Sequence, residues 1–263
     1  MTSTELVNVF RHTMEVFDTN PELSQSTEEV CRNTLFYEEG FLSSRGPREN
    51  REGIVSVVSA TTFRCAHSFA GSGKIAALNF ANPFEPGGGV ARGARAQEEC
   101  LCRCSNLYRS LTTPEAAEKY YRPNAEQKNN YLFSDRIIYS PGVTVIKADG
   151  TYEMLPDPFR VDVITCAAPY NGYKHEPDEL KSTYLKRLTI IFETAVENGV
   201  DILILGAFGC GAFYNPPRLM AESFRELIEA KYRRYFDRIC FAIPAASPAD
   251  RNFAAFMEVL GNT

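Results

Sequence analysis

The sequence has no surplus of basic charge: 28 Lys and Arg stand against 33 Asp and Glu, a formal net charge of −5 with a pI near 5.4. A protein that coats nucleic acid through its phosphates needs the opposite field. No stable nucleic-acid complex is therefore expected, although a local anion site is compatible with this balance. Long apolar runs are missing too. The longest uncharged stretch, Ile202 to Pro217, is broken by glycines and prolines and is too short to span a bilayer, so no membrane anchor is expected. The N-terminus, Met1 to Leu6, lacks the basic residues and apolar run of a secretory leader, which points to the cytoplasm. Histidine is scarce: His12, His67 and His175 fall in separate segments and offer no convergent partners for a histidine-based reaction. Eight cysteines in 263 residues are too few for a disulfide framework, and reduced thiols are expected. Cys100, Cys102 and Cys104 alternate, but a helix turning ~100° per residue separates Cys102 from the other two, so no metal site is expected there.

What is present is the make-up of a globular chain, 44% hydrophobic and 23% charged. At roughly 150 residues per domain this length suits one large domain with additions. Two helices are expected in residues 1–50, each opened by a capping-box spacing, Thr2 with Glu5 and Ser26 with Glu29, and separated by Asn20 and Pro21. These form an N-terminal helical extension, and residues 51–263 form the main domain. There, short apolar runs alternate with amphipathic stretches, the pattern of an α/β layered sheet. The strands are Ile54–Val58, Ile75–Phe80, Ile137–Ser140, Val143–Lys147, Val161–Ala167, Ile202–Gly206 and Ile239–Ile243. Pro141 and Gly142 join the third and fourth as a hairpin, which makes the sheet mixed. Helices are expected over Ala60–Ala70, Gln97–Leu111, Pro114–Tyr121, Leu180–Asn198, Pro216–Phe236 and Ala249–Val259. The fifth opens with Asn215 as N-cap and Pro216 in its first turn.

In open α/β sheets ligands sit beyond the carboxyl ends of strands, and two glycine loops lie there. The first runs from Leu78 through Asn82 to the triplet Gly87, Gly88 and Gly89. Three glycines together cost backbone entropy and pack no side chain, which suggests positive φ angles or close approach of a ligand, or else a flexible surface turn. The second runs from Leu205 to Asn215, with Gly206, Gly209 and Gly211 before a helix. Its amides suit a phosphate, although a tight strand-to-helix turn explains the same residues. No Lys-Ser or Lys-Thr follows, so this is not a Walker loop.

Gln97, Glu98 and Glu99 follow the triplet at the start of a helix. Acidic residues in a first turn complement the helix dipole. Beside a loop that admits substrate close to the backbone, the same carboxylates suit glycosidic chemistry, which needs a proton for the leaving oxygen and an activated water. Their mutual charge raises a carboxyl pKa and the helix N-terminus lowers it, so the spacing leaves the net sign open.

Taken together, Phe80 to Asn82, the triplet Gly87 to Gly89, seven residues, Gln97 to Glu99 and the later Gly206 to Phe213 resemble the microbial-type poly(ADP-ribose) glycohydrolases, which are catalytic macrodomains. The resemblance spans Ile54 to Val259 and leaves the N-terminal helices as a variable addition. It implies a three-layer α/β/α sandwich that cuts ribose–ribose O-glycosidic bonds of poly(ADP-ribose), from chain ends, with no metal or other cofactor. By the resemblance Glu99 protonates the leaving ribose oxygen and then activates water, and Glu98 holds ribose hydroxyls. Asn82 contacts ribose, Gly87, Gly88 and Gly89 form the catalytic loop, and Gln97 belongs to the same substrate site. Gly206, Gly209, Cys210, Gly211, Ala212 and Phe213 hold the diphosphate, with Phe213 stacked beside the distal ribose. The substrate partner is the ADP-ribose polymer or an ADP-ribosylated protein. A non-catalytic ADP-ribose-binding module, or a hydrolase of mono-ADP-ribosylated protein or nucleic acid, is the alternative. Arg92, Arg95, Arg103 and Arg109 read as a solvated basic face, or as an aid to a polyanionic substrate. Cys210 reads as a small loop residue rather than a nucleophile.

Overall fold

The computed structural model describes residues 1–47, 52–127, 131–173 and 175–261. The domain boundary expected between residues 50 and 51 lies outside the described residues. In chain order the elements are α1 (Ser3–Thr19), α2 (Pro21–Asn33), β1 (Leu35–Tyr37), β2 (Ile54–Val58), α3 (Thr62–His67), β3 (Ile75–Phe80), α4 (Gln97–Cys104) and α5 (Leu107–Leu111). Then come α6 (Pro114–Ala116), a π-helical turn (Ala117–Tyr121), α7 (Arg122–Glu126), β4 (Ile137–Lys147) and β5 (Met154–Cys166). The chain ends with α8 (Pro177–Glu197), β6 (Ile202–Leu205), α9 (Pro217–Ala230), β7 (Arg238–Ala242) and α10 (Arg251–Leu260).

The strands form one seven-stranded sheet in the order β1-β4-β5-β3-β6-β7-β2. The pairs β5–β3, β3–β6, β6–β7 and β7–β2 are parallel, while β4 runs antiparallel to both β5 and β1. The apolar runs are continuous because both faces are covered. Ala76, Leu78, Leu203, Leu205, Ile239 and Phe241 pack with α8, α9 and α10. Their neighbours, Ile75, Ala77, Ile202, Ile204, Cys240 and Ala242, pack on the other face with residues of α1 to α5. The period-two alternation of strand side chains thus divides one sheet between two cores, giving a three-layer α/β/α sandwich. Among the described residues no helix is long and apolar enough to cross a membrane.

Several local expectations change. Ile137–Ser140 and Val143–Lys147 are not a hairpin but one strand, β4, with a register shift between Ser140 and Val143. Gly142 takes φ +68° and its N–H donates to Asp162 Oδ1 at 2.7 Å, so the Pro-Gly pair makes an irregularity that the partner strand satisfies. The expected helix Gln97–Leu111 breaks at Ser105 and Asn106. Asn106 Oδ1 accepts from Thr144 N (2.9 Å) and Ser105 bridges to Val145, so polar side chain and backbone there bond to β4 instead of continuing the helix. Ser26 caps nothing; α2 starts at Pro21, with Asn20 Oδ1 accepting from Leu23 N, and Ser26 sits mid-helix. The Thr2 and Glu5 capping box forms. Strand β1 went unread because three residues show no period.

Candidate active site

Strands β3 and β6 are parallel neighbours, with Ala77 opposite Ile204, so the two glycine loops leave the sheet side by side at its carboxyl edge. A cavity of about 380 Å³ lies there, walled by the root of the first loop and by the second loop; Asn82, Gly87, Gly88, Gly89, Glu98 and Glu99 are not among its lining residues. Its wall includes Phe80, Ala81 and Gln97 from the first loop and helix, and Gly209, Gly211, Ala212 and Phe213 from the second.

The first loop is shaped around two carboxylates. Gly87 and Gly88 take φ +67° and +56°, a region that other residues rarely occupy. A Cβ on Gly88 would stand 2.5 Å from Glu99 Oε1, and one on Gly87 would stand 2.7 Å from the Tyr108 ring. Gly89 follows at φ −90°, and its N–H donates to Glu99 Oε1 at 2.8 Å. The triplet therefore lies against both acids, and the flexible-turn reading is set aside.

Helix α4 is anchored by Gln97, whose Oε1 accepts from Phe80 N (2.9 Å) while its Nε2 donates to Leu78 O (2.7 Å) and Thr62 Oγ1 (3.1 Å). This side-chain amide ties the helix N-terminus to the end of β3, so the next two residues project in a set direction. Glu98 and Glu99 are 2% and 6% exposed. Glu98 Oε2 accepts from Asn82 N (2.8 Å) and Oε1 from Asn79 Nδ2 (3.2 Å). Burial pushes its pKa up to about 8, against the lowering by these donors and with a smaller push from the charge of Glu99. Near neutral pH Glu98 thus holds a proton and can donate as well as accept. Glu99 differs: its Oε2 is buried without a hydrogen-bond partner among the described residues. Asn82 Oδ1 accepts from Phe84 N (2.8 Å) and Glu85 N (3.0 Å), closing the turn that leads into the triplet.

In the second loop Gly209 takes φ +70°, and a Cβ there would run into Asn215 Nδ2 and Ala168. Nothing lies within 4 Å of a Cβ on Gly211. Gly206 does not line the cavity; a Cβ on it would meet Ala242 O at 2.8 Å and Phe80 at 2.9 Å, so its place is packing between strands. Cys210 is buried beside the cavity wall, and burial pushes its thiol pKa up to about 12. Asn215 is not an N-cap: Pro216 takes that position, and Asn215 Nδ2 donates to Pro169 O (2.8 Å) and Gly209 O (3.1 Å), while its Oδ1 accepts from Tyr184 at 2.5 Å.

The four arginines do not form one solvated basic face: Arg92 and Arg95 are exposed, Arg109 is half-buried and Arg103 is buried. Arg92 pairs with Glu85 (2.5 Å), Arg109 with Asp18 (2.7 Å), Arg95 donates to Met1 O, and Arg103 is buried with its Nε on Tyr152 Oη. Only Arg95 of the four lines the cavity. Three site features escaped the sequence. Asn79 holds Glu98 from inside β3 but looks like any strand residue. Buried Arg187, on α8, pairs with Asp135 (2.5 Å) and donates to Leu132 O (2.8 Å) and Phe133 O (3.2 Å). Phe133 in turn bridges the loops, 5.3 Å from Phe84 and 6.1 Å from Phe213 between ring centroids.

The sequence matches the family model of the microbial-type PARG catalytic domain over residues 7–148. The chain belongs to the microbial-type poly(ADP-ribose) glycohydrolases. Among solved structures, the poly(ADP-ribose) glycohydrolase of Thermomonospora curvata is similar at a TM-score of 0.85 and 30% identity, covering 98% of this chain and 100% of its own. The same enzyme bound to the inhibitor ADP-HPD gives 0.83 and 30%, over 97% and 99% of the two chains. The poly(ADP-ribose) glycohydrolase of Deinococcus radiodurans in complex with ADP-ribose gives 0.82 and 34%, over 90% and 97%. No curated protein matches the chain in sequence. The family match starts inside α1, so the family's domain includes the N-terminal helices that the resemblance from Ile54 onward left aside. In this glycohydrolase those helices brace the catalytic one: Thr13 Oγ1 donates to Arg103 O at 2.6 Å, and Phe10 packs edge-on against Tyr108 at 5.0 Å.

Proposed function

We propose that this chain hydrolyses the ribose–ribose O-glycosidic bonds of poly(ADP-ribose), releasing ADP-ribose from chain ends. The observation that carries the reading is Glu99 Oε2, a buried carboxylate oxygen without a hydrogen-bond partner among the described residues, on the helix whose Gln97 and Cys100 line the cavity that a phosphate-type loop completes. A buried acid left unpaired is costly unless a ligand meets it. Glu99 gives a proton to the departing ribose oxygen and then takes one from the incoming water. Glu98, neutral near pH 7, holds ribose hydroxyls, and Asn82 helps orient the same sugar. The amides of Gly209, Gly211, Ala212 and Phe213 take the diphosphate, with the Phe213 ring against the distal ribose. Gln97, Gly206 and Cys210 serve by holding the two loops in place. The domain that follows the N-terminal helices carries the reaction, helix α1 braces it through Thr13 and Phe10, and the cell compartment is the cytoplasm.

The test is release of ADP-ribose from poly(ADP-ribose). Glu99→Gln should lower the rate by about 100-fold or more, the usual worth of a general acid and base, while ADP-ribose affinity by calorimetry stays close to that of the parent. Unchanged release from Glu99→Gln would remove the catalytic assignment. Tight ADP-ribose binding with no release by the parent chain would make it a binding module instead.

A further inference from the structure

Beside the phosphate loop the surface carries a run of aromatic rings of which the reaction above uses only Phe213. It starts in the glycine-triplet loop with Phe84, 42% exposed, and passes through Phe133 to Phe213, which lines the cavity. From Phe213 it continues to Tyr170 at 6.0 Å between centroids, and there it opens to solvent. Tyr131 and Tyr173 are 38% and 65% exposed, with rings 4.6 Å apart, and both rest on Tyr170. Tyr214, 64% exposed, flanks Tyr170 at 5.9 Å.

Exposed rings that touch one another mark a contact surface more often than single exposed residues do. Here the backbone is also held in an unfavourable conformation to present them. Tyr131, Phe133 and Tyr214 take φ +56°, +60° and +59°, strained for side-chain-bearing residues. Neighbouring bonds maintain it: Tyr170 N donates to Tyr131 O (2.9 Å), Asn171 N to Phe213 O (2.9 Å), and Arg187 to Phe133 O (3.2 Å).

We propose that this tyrosine platform is a second base-binding subsite, stacking the adenine of the polymer unit that departs when the terminal ribose bond is cut. The proposal rests on the poly(ADP-ribose) reading above. In that polymer the leaving oxygen belongs to an adenosine, so a purine lies only a few bonds from the bond that breaks. The platform is continuous with the cavity through Phe213 and with the glycine-triplet loop through Phe84, so it lies within reach of a base next to the cut bond. Aromatic faces hold any base without reading its edges, so the subsite adds affinity for the chain rather than sequence selection.

The experiment compares two ligands by calorimetry in the Glu99→Gln background: a two-unit ADP-ribose chain, and free ADP-ribose, which lacks the departing unit. Tyr173→Ala should weaken the two-unit chain about tenfold and leave ADP-ribose within about twofold, as expected for the loss of one stacked base. Tyr173→Phe, which keeps the ring, should restore the parent affinity. Tyr131→Ala combined with Tyr173→Ala should weaken the chain further without touching ADP-ribose. Equal affinity of parent and variants for the two-unit chain, or equal loss for both ligands, overturns the subsite. ADP-ribose release is measured alongside with Glu99 intact. Its absence while the two ligands are still discriminated removes the hydrolase reading alone.

Discussion

Glu98 and Glu99 are adjacent in sequence, identical in type and close to each other in space, yet their surroundings differ. Glu98 meets the donors of Asn79, Asn82 and Gly87 and loses its water, whereas Glu99 spends one oxygen on Gly89 and has the other unpaired among the described residues. The sequence leaves the direction of the carboxyl shift open, since neighbouring charge and helix dipole oppose each other. Burial, a tertiary quantity, decides it. The consequence is measurable. An unfolded chain releases the Glu98 proton near its ordinary 4.5, while the folded chain holds it to about 8. Between those values the folded state binds more protons, so this residue's contribution to stability is fully present below pH 4.5 and is lost as pH rises toward 8. At about 1.4 kcal/mol per unit the loss amounts to a few kcal/mol. Glu98→Gln, which cannot ionise, should flatten that slope, so its urea midpoint should gain on the parent at pH 8 relative to pH 5. Parallel midpoints across that range would show that Glu98 is ionised in the native state.

At the scale of elements, four of the strands with apolar runs were legible to within a residue or two: Ile54–Val58 and Ile75–Phe80 form as read, the strand at Ile202 ends at Leu205 and that at Ile239 runs Arg238–Ala242, whereas the one expected at Val161 already begins at Met154. Two sheet-covering layers impose that pattern directly on the chain. The polar residues misled, because a hydrogen-bonding side chain specifies that it has a partner but not which one. Ser26 and Asn215 both look like caps, yet Ser26 bonds back to Leu23 O within its helix and Asn215 pins the second glycine loop to the strand β5 exit through Pro169. Asn215→Ala should therefore act on the loop rather than on α9. Removing an amide that makes three buried bonds should cost about 1–3 kcal/mol in stability. It should also raise the Kd for ADP-ribose, measured by calorimetry, more than it lowers the helical circular-dichroism signal. The reverse result would return Asn215 to the cap role.

For the whole molecule the decisive fact is adjacency of β3 and β6, strands more than a hundred residues apart that pair in parallel and deliver their loops to one edge. The N-terminal helices belong to the same arrangement. Phe10 of α1 packs on Tyr108, and Tyr108 lies against Gly87, so a contact chain runs from the first helix to the catalytic loop. Phe10→Ala should cost about 3–5 kcal/mol as a core truncation. In the fraction that stays folded, kcat for ADP-ribose release should fall as well, because the ring that backs the triplet loses its support. A stability loss with unchanged kcat per folded molecule would confine α1 to a purely structural role.

By itself the sequence determined the α/β class, both glycine loops and the acid pair, because backbone periodicity, glycine clustering and short-range spacing are local properties written residue by residue. Only the tertiary structure decided that the second loop and the root of the first wall one cavity, that burial raises the Glu98 pKa while Glu99 has an oxygen unpaired among the described residues, and that Asn79 bonds Glu98 and buried Arg187 bonds Phe133 O. Those properties depend on which distant surfaces exclude water together, and no local pattern in the chain carries that information.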